Sequence, residues 1–181
     1  LARQSLDLAR ALYEEVGDLR GAQRAAAILS LSAFMDNKTL DYDRYMSRLE
    51  TAARDRGDLP FVAWVMGARY ASAADRGLGD LVSMLSDSSR KAGRILADSS
   101  ITFRSQLMMG LARRLQERHQ DAIQIHRACL VDCMARRDSS SMAWTYNNLC
   151  WDFSAAERSD SASVYGKRAV DLFERLGDKR G

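Results

Sequence analysis

Histidine and cysteine supply most of the metal-binding chemistry available in this sequence. His126, Cys129 and Cys133 stand at positions i, i+3 and i+7, which places them on one face of a helix. Imidazole and thiolate are good zinc ligands, but a closed zinc site takes four of them. Both cysteines also fit the apolar register of that helix, where a free thiol packs as a small apolar side chain. We therefore expect no metal and no other cofactor.

The sequence contains none of the common catalytic motifs. His119 and His126 have no serine or cysteine beside them in a recognisable nucleophile motif. Glycines are scattered, without the GxxxxGK[ST] or GxGxxG patterns that hold phosphate groups. We expect a protein that is not an enzyme.

The charge of the chain is nearly balanced. Its 27 basic and 24 acidic residues give a net charge of +3, and the basic side chains are spread along the chain. The densest basic pairs, Arg113-Arg114 and Arg136-Arg137, come without a helix-turn-helix signature. This pattern favours solvated helix faces, so we expect no direct nucleic-acid partner.

Signals for membrane insertion or export are also missing. The longest apolar stretch, Ala25 to Met35, is interrupted by two serines and is shorter than the ~20 residues that span a bilayer. The first residues do not form a secretory signal, and three cysteines without a CxxC pattern are typical of reduced thiols. These features predict a cytoplasmic protein with no membrane partner.

The elements that would position these side chains repeat along the chain. Aspartates recur every 40 residues, at Asp18, Asp58, Asp98, Asp138 and Asp178, a regularity that chance rarely produces. Glycine precedes three of them, and glycine readily adopts the left-handed conformation of a helix C-terminal cap. Each aspartate can then accept backbone N–H bonds at the start of the next helix. Every fortieth residue therefore marks the end of one helix and the start of another.

Each 40-residue unit has a second break near its middle, which divides it into a helix A and a helix B. These breaks are predicted at 37–41, 77–80, 118–121 and 158–160. The B helix of the fourth unit has an apolar face in which residues step by three or four, apart from one adjacent pair. This face comprises Ala162, Tyr165, Ala169, Leu172, Phe173 and Leu176.

The period predicts how the whole chain is divided. Residues 1–18 form helix B of a truncated repeat, and 179–181 begin another truncated repeat. Repeats 1 to 4 occupy 19–58, 59–98, 99–138 and 139–178, in one continuous solenoid domain. Neither end shows the polar helix that normally closes a solenoid, so we expect a fragment of a longer protein.

These units resemble tetratricopeptide-type repeats, in a long version of about 40 residues rather than the usual ~34. The first and second units depart from that pattern, with Tyr42 and Val82 where a small alanine is expected. The resemblance implies an all-α, right-handed superhelical solenoid of antiparallel helix pairs, with four hairpins and an N-terminal orphan helix. The matching positions are Gly110, Ala122 and Leu130 in the third unit and Asn148, Leu149, Phe153, Ala162, Ala169 and Leu172 in the fourth.

Two segments are similar to the repeat arrays of large bacterial signal-transduction ATPases, including the maltose-activator-like (LuxR-type) transcription regulators. They are residues 11–18, ALYEEVGD, and residues 171–178, DLFERLGD. In those proteins the array resembles a sensor arm that receives an inducer or partner. The resemblance implies a non-catalytic interaction and sensor segment of a cytoplasmic regulator. The alternative is a purely structural spacer or oligomerisation scaffold for flanking domains.

The resemblance also implies where a partner would bind. The A helices of tetratricopeptide-like stacks line the concave face, and indole faces between arginines could hold a protein, a peptide or a small inducer. Alternatively, the tryptophans only pack the A helices against their neighbours, because tryptophan is usually well buried. A homo-oligomer is a further possibility. The positions carried over by register are Trp64, Gly67, Arg104, Leu107, Leu111, Arg114, Trp144, Asn147 and Trp151.

Overall fold

The computed structural model of the chain is built from α-helices. It describes residues 39–177, of which 39–45 by their backbone alone, and before them only Ala11, Tyr13, 15–18, Gly21 and Ala25. The described part contains no strand, which confirms the predicted all-α class. Its seven helices are α1 (Thr39–Asp55), α2 (Leu59–Asp75), α3 (Gly79–Ile95), α4 (Ser99–Leu115), α5 (His119–Arg136), α6 (Ser139–Ala155) and α7 (Ser159–Arg175).

Left-handed residues close these helices at intervals of 20 residues along the described chain. The prediction of left-handed glycine caps is confirmed at Gly17, Gly57 and Gly177. At other corners a residue with a Cβ atom takes the same conformation, at a cost of roughly 1–2 kcal/mol each. These residues are Ala97, Glu117, Arg137 and Glu157.

The described A helices begin with a side-chain cap, and the B helices α3, α5 and α7 do not. Asp58, Asp98 and Asp138 each accept a backbone N–H bond within the first turn of α2, α4 and α6. No side chain caps the start of α3, α5 or α7. The predicted role of the repeated aspartates is therefore confirmed at these three positions. Asp178, residues 37–38 and the repeat start at 179–181 lie outside the described residues. The remainder of the break predicted at 37–41 is already helical, because α1 begins at Thr39.

Hydrogen bonding at these caps also changes the acidity of two carboxyl groups. The Ser100 hydroxyl and the backbone N–H of Ile101 hold the pKa of Asp98 below its usual value. The hydroxyl and backbone N–H of Ser141 do the same for the pKa of Asp138. Both caps are therefore carboxylates, the form that accepts hydrogen bonds best.

The chain divides into two compact units, Leu1–Val65 and Met66–Gly181. In the second unit, each helix from α3 to α7 packs against the next one, and the A helices α4 and α6 also contact each other. Its core consists of clusters that join neighbouring helices. The buried members are Ile123, Leu149, Phe153 and Ala162; Phe103, Cys129 and Cys133; and Ala143, Ala169 and Phe173. In the first unit, the buried residues include Met46, Leu49, Ala53, Phe61, Val62 and Val65.

The apolar face predicted for the last B helix, α7, is confirmed in its middle and wrong at its end. Ala162, Ala169 and Phe173 are buried, and Tyr165 and Leu172 are partly buried. Leu176 follows the last helical residue as the C-cap, and its side chain is exposed. The three-to-four-residue periodicity stops applying where the helix stops.

Candidate functional site

Most of the predicted contact residues lie on two A helices that touch each other, α4 and α6. Of the other two, Gly67 lies in α2 with open space where a Cβ atom would stand. Trp64 also lies in α2, within the first compact unit. We use the name α4–α6 surface for Arg104, Leu107, Leu111, Arg114, Trp144, Asn147 and Trp151.

The three tryptophans differ in how much of each indole is covered. Trp151 is 59% exposed and makes no ring contact with the described residues, while Trp144 is 42% exposed. Trp144 makes a T-shaped contact with Phe173 of α7, with ring centroids 5.1 Å apart. Trp64 stacks on Phe61 of its own helix at 5.7 Å. Packing therefore accounts for part of Trp64 and Trp144, and leaves the indole of Trp151 mostly in solvent.

The α4 side of the surface combines an exposed cation with half-buried leucines. Arg104 is exposed, and Leu107 and Leu111 are half-buried. Leu107 also packs against the cluster that contains Phe103 and Cys129. Asn147, on α6, is half-buried as well.

Arg114 serves mainly as a link between the two helices of this surface. Its Nη1 atom lies 2.6 Å from Oδ1 of Asp152 on α6, and its side chain is only 18% exposed. The same nitrogen donates to the carbonyl oxygen of Asn148 at 3.3 Å. Its positive charge also acts on Tyr70 of α2, where burial raises the pKa of the phenol to about 12 and Arg114 opposes that rise. The guanidinium predicted to meet a ligand thus holds α4 against α6.

A buried histidine extends this link to α5. His126 and Asp152 are both fully buried, and Nδ1 of His126 lies 2.5 Å from Oδ2 of Asp152. The other ring nitrogen, Nε2, lies 3.1 Å from the carbonyl oxygen of Leu107 on α4. The two ring nitrogens thus face a carboxylate oxygen and a carbonyl oxygen, and both of these groups accept hydrogen bonds. Arg114, Asp152 and His126 form one buried charge network across three helices.

The imidazole of His126 fits because the residue opposite it on the facing helix is a glycine. A Cβ atom at Gly110 of α4 would overlap the ring of His126. Forty residues later the small and large residues exchange places, with Cys150 at the position of Gly110 and Gly166 at that of His126. A Cβ atom added at Gly166 would lie only 3.1 Å from the sulfur of Cys150. Each of these two hairpins therefore sets a larger side chain against a glycine 16 residues away.

The three possible metal ligands considered on α5 are otherwise engaged. Both nitrogens of His126 lie at hydrogen-bond distance from oxygen atoms. Cys129 and Cys133 pack in an apolar cluster, and burial raises the pKa of both thiols, to about 12 for Cys129. Within residues 39–177 and the few described before them, no group of three His, Cys, Asp or Glu side chains could hold a metal ion.

Comparison with known proteins adds no identification to this geometry. No family model matches the chain, and no curated protein matches it significantly. Among the described helices, none has both the length and the apolar character needed to cross a bilayer.

Proposed function

We propose that this chain is a non-catalytic interaction and sensor segment of a larger cytoplasmic regulator. Its resemblance to the repeat arrays of LuxR-type proteins favours a transcriptional regulator. In this proposal, four hairpins and an orphan helix form a right-handed superhelical solenoid. A peptide, a partner protein or a small inducer binds to the α4–α6 surface. The observation that carries the proposal is the largely uncovered indole of Trp151, on the same helix as Trp144 and Asn147.

The surroundings of Trp151 support binding over packing. Large aromatic side chains that remain exposed are common anchors in protein and ligand interfaces, because they bury a large area when covered. Arg104 on the contacting helix α4 adds an exposed positive charge. The surface therefore suits an occupant with an apolar body and an anionic group.

The buried network supports a surface whose shape is set before the ligand arrives. Arg114, Asp152 and His126 connect α4, α5 and α6 through charge-assisted hydrogen bonds. Binding then needs little reordering of the two helices that carry the contacts, which favours affinity. The charges of Arg114 and Asp152 act in this proposal by positioning the helices.

A small anionic probe with an aromatic body tests the surface. We expect anilinonaphthalene sulfonate to bind saturably to the chain in isothermal titration, with enhanced probe fluorescence. Trp151→Ala and Arg104→Gln should each weaken binding about five-fold or more, a loss typical of an interface anchor. Val131→Ala, which trims an exposed apolar side chain on α5, is the matched control and should leave the affinity unchanged. Equal affinity in all four proteins would remove the α4–α6 surface as the binding site.

The alternative function is a spacer or oligomerisation scaffold, for which the exposed tryptophans would be the contact between copies. Sedimentation equilibrium distinguishes the two. A stable dimer that Trp151→Glu separates into monomers would favour the scaffold. A monomer that binds the probe would favour the sensor. Direct DNA binding would require steeply salt-dependent affinity for duplex DNA, and we expect little or none.

A further inference from the structure

A second surface lies on the other side of α6 and consists of arginines over aromatic rings. The ring of Phe153, on α6, has two guanidinium groups close to it. The Cζ atom of Arg158 lies 4.9 Å from the ring centroid, and that of Arg127, on α5, lies 5.4 Å from it. Tyr165 of α7 stacks against the same ring at 5.2 Å, with the planes 4° apart.

The aromatic series continues along the α6–α7 hairpin. The ring centroid of Tyr146, on α6, lies 6.1 Å from that of Tyr165. A third guanidinium, from Arg168 of α7, lies 5.9 Å from the centroids of both tyrosines. Three arginines from α5, the α6–α7 corner and α7 are thus placed along one series of rings. We call Arg127, Arg158 and Arg168 the arginine cluster.

The cluster differs in its charge balance from Arg136, another arginine that lies over an aromatic ring. Arg136 also lies over an aromatic ring, 4.8 Å from the centroid of Phe103. Arg136 has carboxylate partners in Asp132 at 3.1 Å and Asp138 at 3.6 Å. Within the described part of the chain, no carboxylate lies within 4.0 Å of any guanidinium of the cluster. The described residues thus supply anions for Arg136 and none for the three arginines of the cluster.

The arginine cluster is also exposed and held in place. All three arginines are solvent-exposed residues. Stacking on the rings fixes the plane of a guanidinium and leaves its N–H groups able to bind a carboxylate. Ordering a long side chain in advance removes part of the entropy that binding would otherwise cost. The arrangement is therefore suited to an anionic partner.

We propose that the arginine cluster binds an acidic segment, rich in Asp and Glu, of a partner protein. Charge complementarity carries this choice, with Arg136 as the internal example of a stacked arginine that takes carboxylates. A single-stranded nucleic acid fits less well, because its bases need free ring faces. Here Phe153 is fully buried and Tyr165 already stacks on it.

This proposal is independent of the α4–α6 surface. Trp144 and Tyr146 are two residues apart on α6, and so are Trp151 and Phe153. A helix turns by about 100° per residue, so the two stripes point to roughly opposite sides of α6. Loss of binding at one surface can therefore be measured without loss at the other.

The test uses the whole chain and a fluorescein-labelled oligoglutamate peptide, followed by fluorescence anisotropy. We expect saturable binding that weakens with salt, because exposed charge pairs are screened. Arg127→Gln, Arg158→Gln and Arg168→Gln should each weaken binding roughly three- to ten-fold. Arg158→Lys, which keeps the charge and loses the planar fork, should give a smaller loss. The helical content of each variant is checked by circular dichroism.

Two matched variants separate the proposal from non-specific attraction. Arg136→Gln removes a stacked arginine whose anions are already supplied, and Val131→Ala trims an exposed apolar side chain of α5 outside both surfaces. Both should bind the peptide with unchanged affinity. The proposal is overturned if Arg136→Gln weakens binding as much as Arg158→Gln, or if the wild-type chain does not bind the peptide. Tighter binding of a single-stranded oligonucleotide, lost in the same variants, would also overturn it.

Discussion

Gly110 is the position at which a single added methyl group tests the buried charge network most directly. Alanine in the middle of a helix is normally more stable than glycine, by about 0.8–1.0 kcal/mol. At Gly110 the new Cβ atom would overlap the His126 ring, which is held by Asp152 on one side and the Leu107 carbonyl on the other. A ring fixed at both nitrogens cannot rotate away without losing a hydrogen bond.

The expected size of the effect follows from these opposing terms. Overpacking a well-packed core costs about 1–3 kcal/mol, and a lost hydrogen bond of a charged group costs about 1.5–3 kcal/mol. Since these losses exceed the gain in helix propensity, Gly110→Ala should lower the free energy of unfolding by about 2 kcal/mol. In a His126→Ala background the overlap is gone, and the same change should raise the free energy of unfolding by about 1 kcal/mol. The two substitutions should therefore be coupled by about 3 kcal/mol.

Urea unfolding of the four proteins, followed by tryptophan fluorescence, measures this coupling. Gly67→Ala is the control, because a Cβ atom there meets no other atom within 4 Å. That variant should gain about 1 kcal/mol from helix propensity alone. If Gly110→Ala were neutral or stabilising with His126 present, the proposed fit between the imidazole and the glycine would be refuted.

Three further predictions concern the same helices. Asp152→Ala should lower the free energy of unfolding, measured in urea, by about 3–5 kcal/mol, because it removes the carboxylate that Arg114 and His126 share. Asp132→Ala, on the surface, should change the free energy of unfolding by no more than about 0.5 kcal/mol. Glu157→Gly should raise the thermal midpoint, with a gain of about 1 kcal/mol, since glycine relieves the left-handed strain at that corner. Ser100→Ala should raise the pKa of Asp98 in an NMR titration, because the serine hydroxyl bonds to its carboxylate. The capping carboxylate stabilises the fold above the unfolded-state pKa, and this stabilisation is lost as pH falls through the lower folded-state pKa. On acidification the variant should therefore lose the stability of this cap at a higher pH than the wild type does.

Local chemistry made much of the fold predictable. The aspartate period gave the starts of the A helices, because a capping carboxylate acts within three residues of its own position. The corners at Gly57 and Gly177 were predictable for the same reason. The left-handed corners at Glu117 and Glu157 were not, since glutamate carries no local preference for that conformation.

The charge network was beyond a single sequence because its members are far apart along the chain. Asp152 lies 38 residues from Arg114 and 26 residues from His126. The 40-residue period did contain one indication of the buried carboxylate. Asp152 is equivalent to Ala112 of α4, and Ala112 is buried. The predicted stripe did place Trp151 in solvent, whereas Arg114, on the same stripe, faces Asp152. Whether that stripe binds a ligand depends on a partner, which a periodic pattern does not encode.

The network spreads its charges over two consecutive hairpins, with Arg114 and His126 in one and Asp152 in the next. Equivalent positions elsewhere carry Ser72 and Ala112 in place of this aspartate. Exchanging or deleting either hairpin would leave Arg114 and His126 without their shared carboxylate, or the buried Asp152 without its partners, and each outcome is costly. Although both hairpins turn at a left-handed glutamate, the α4–α5 and α6–α7 hairpins can therefore be inherited or transplanted only as a pair.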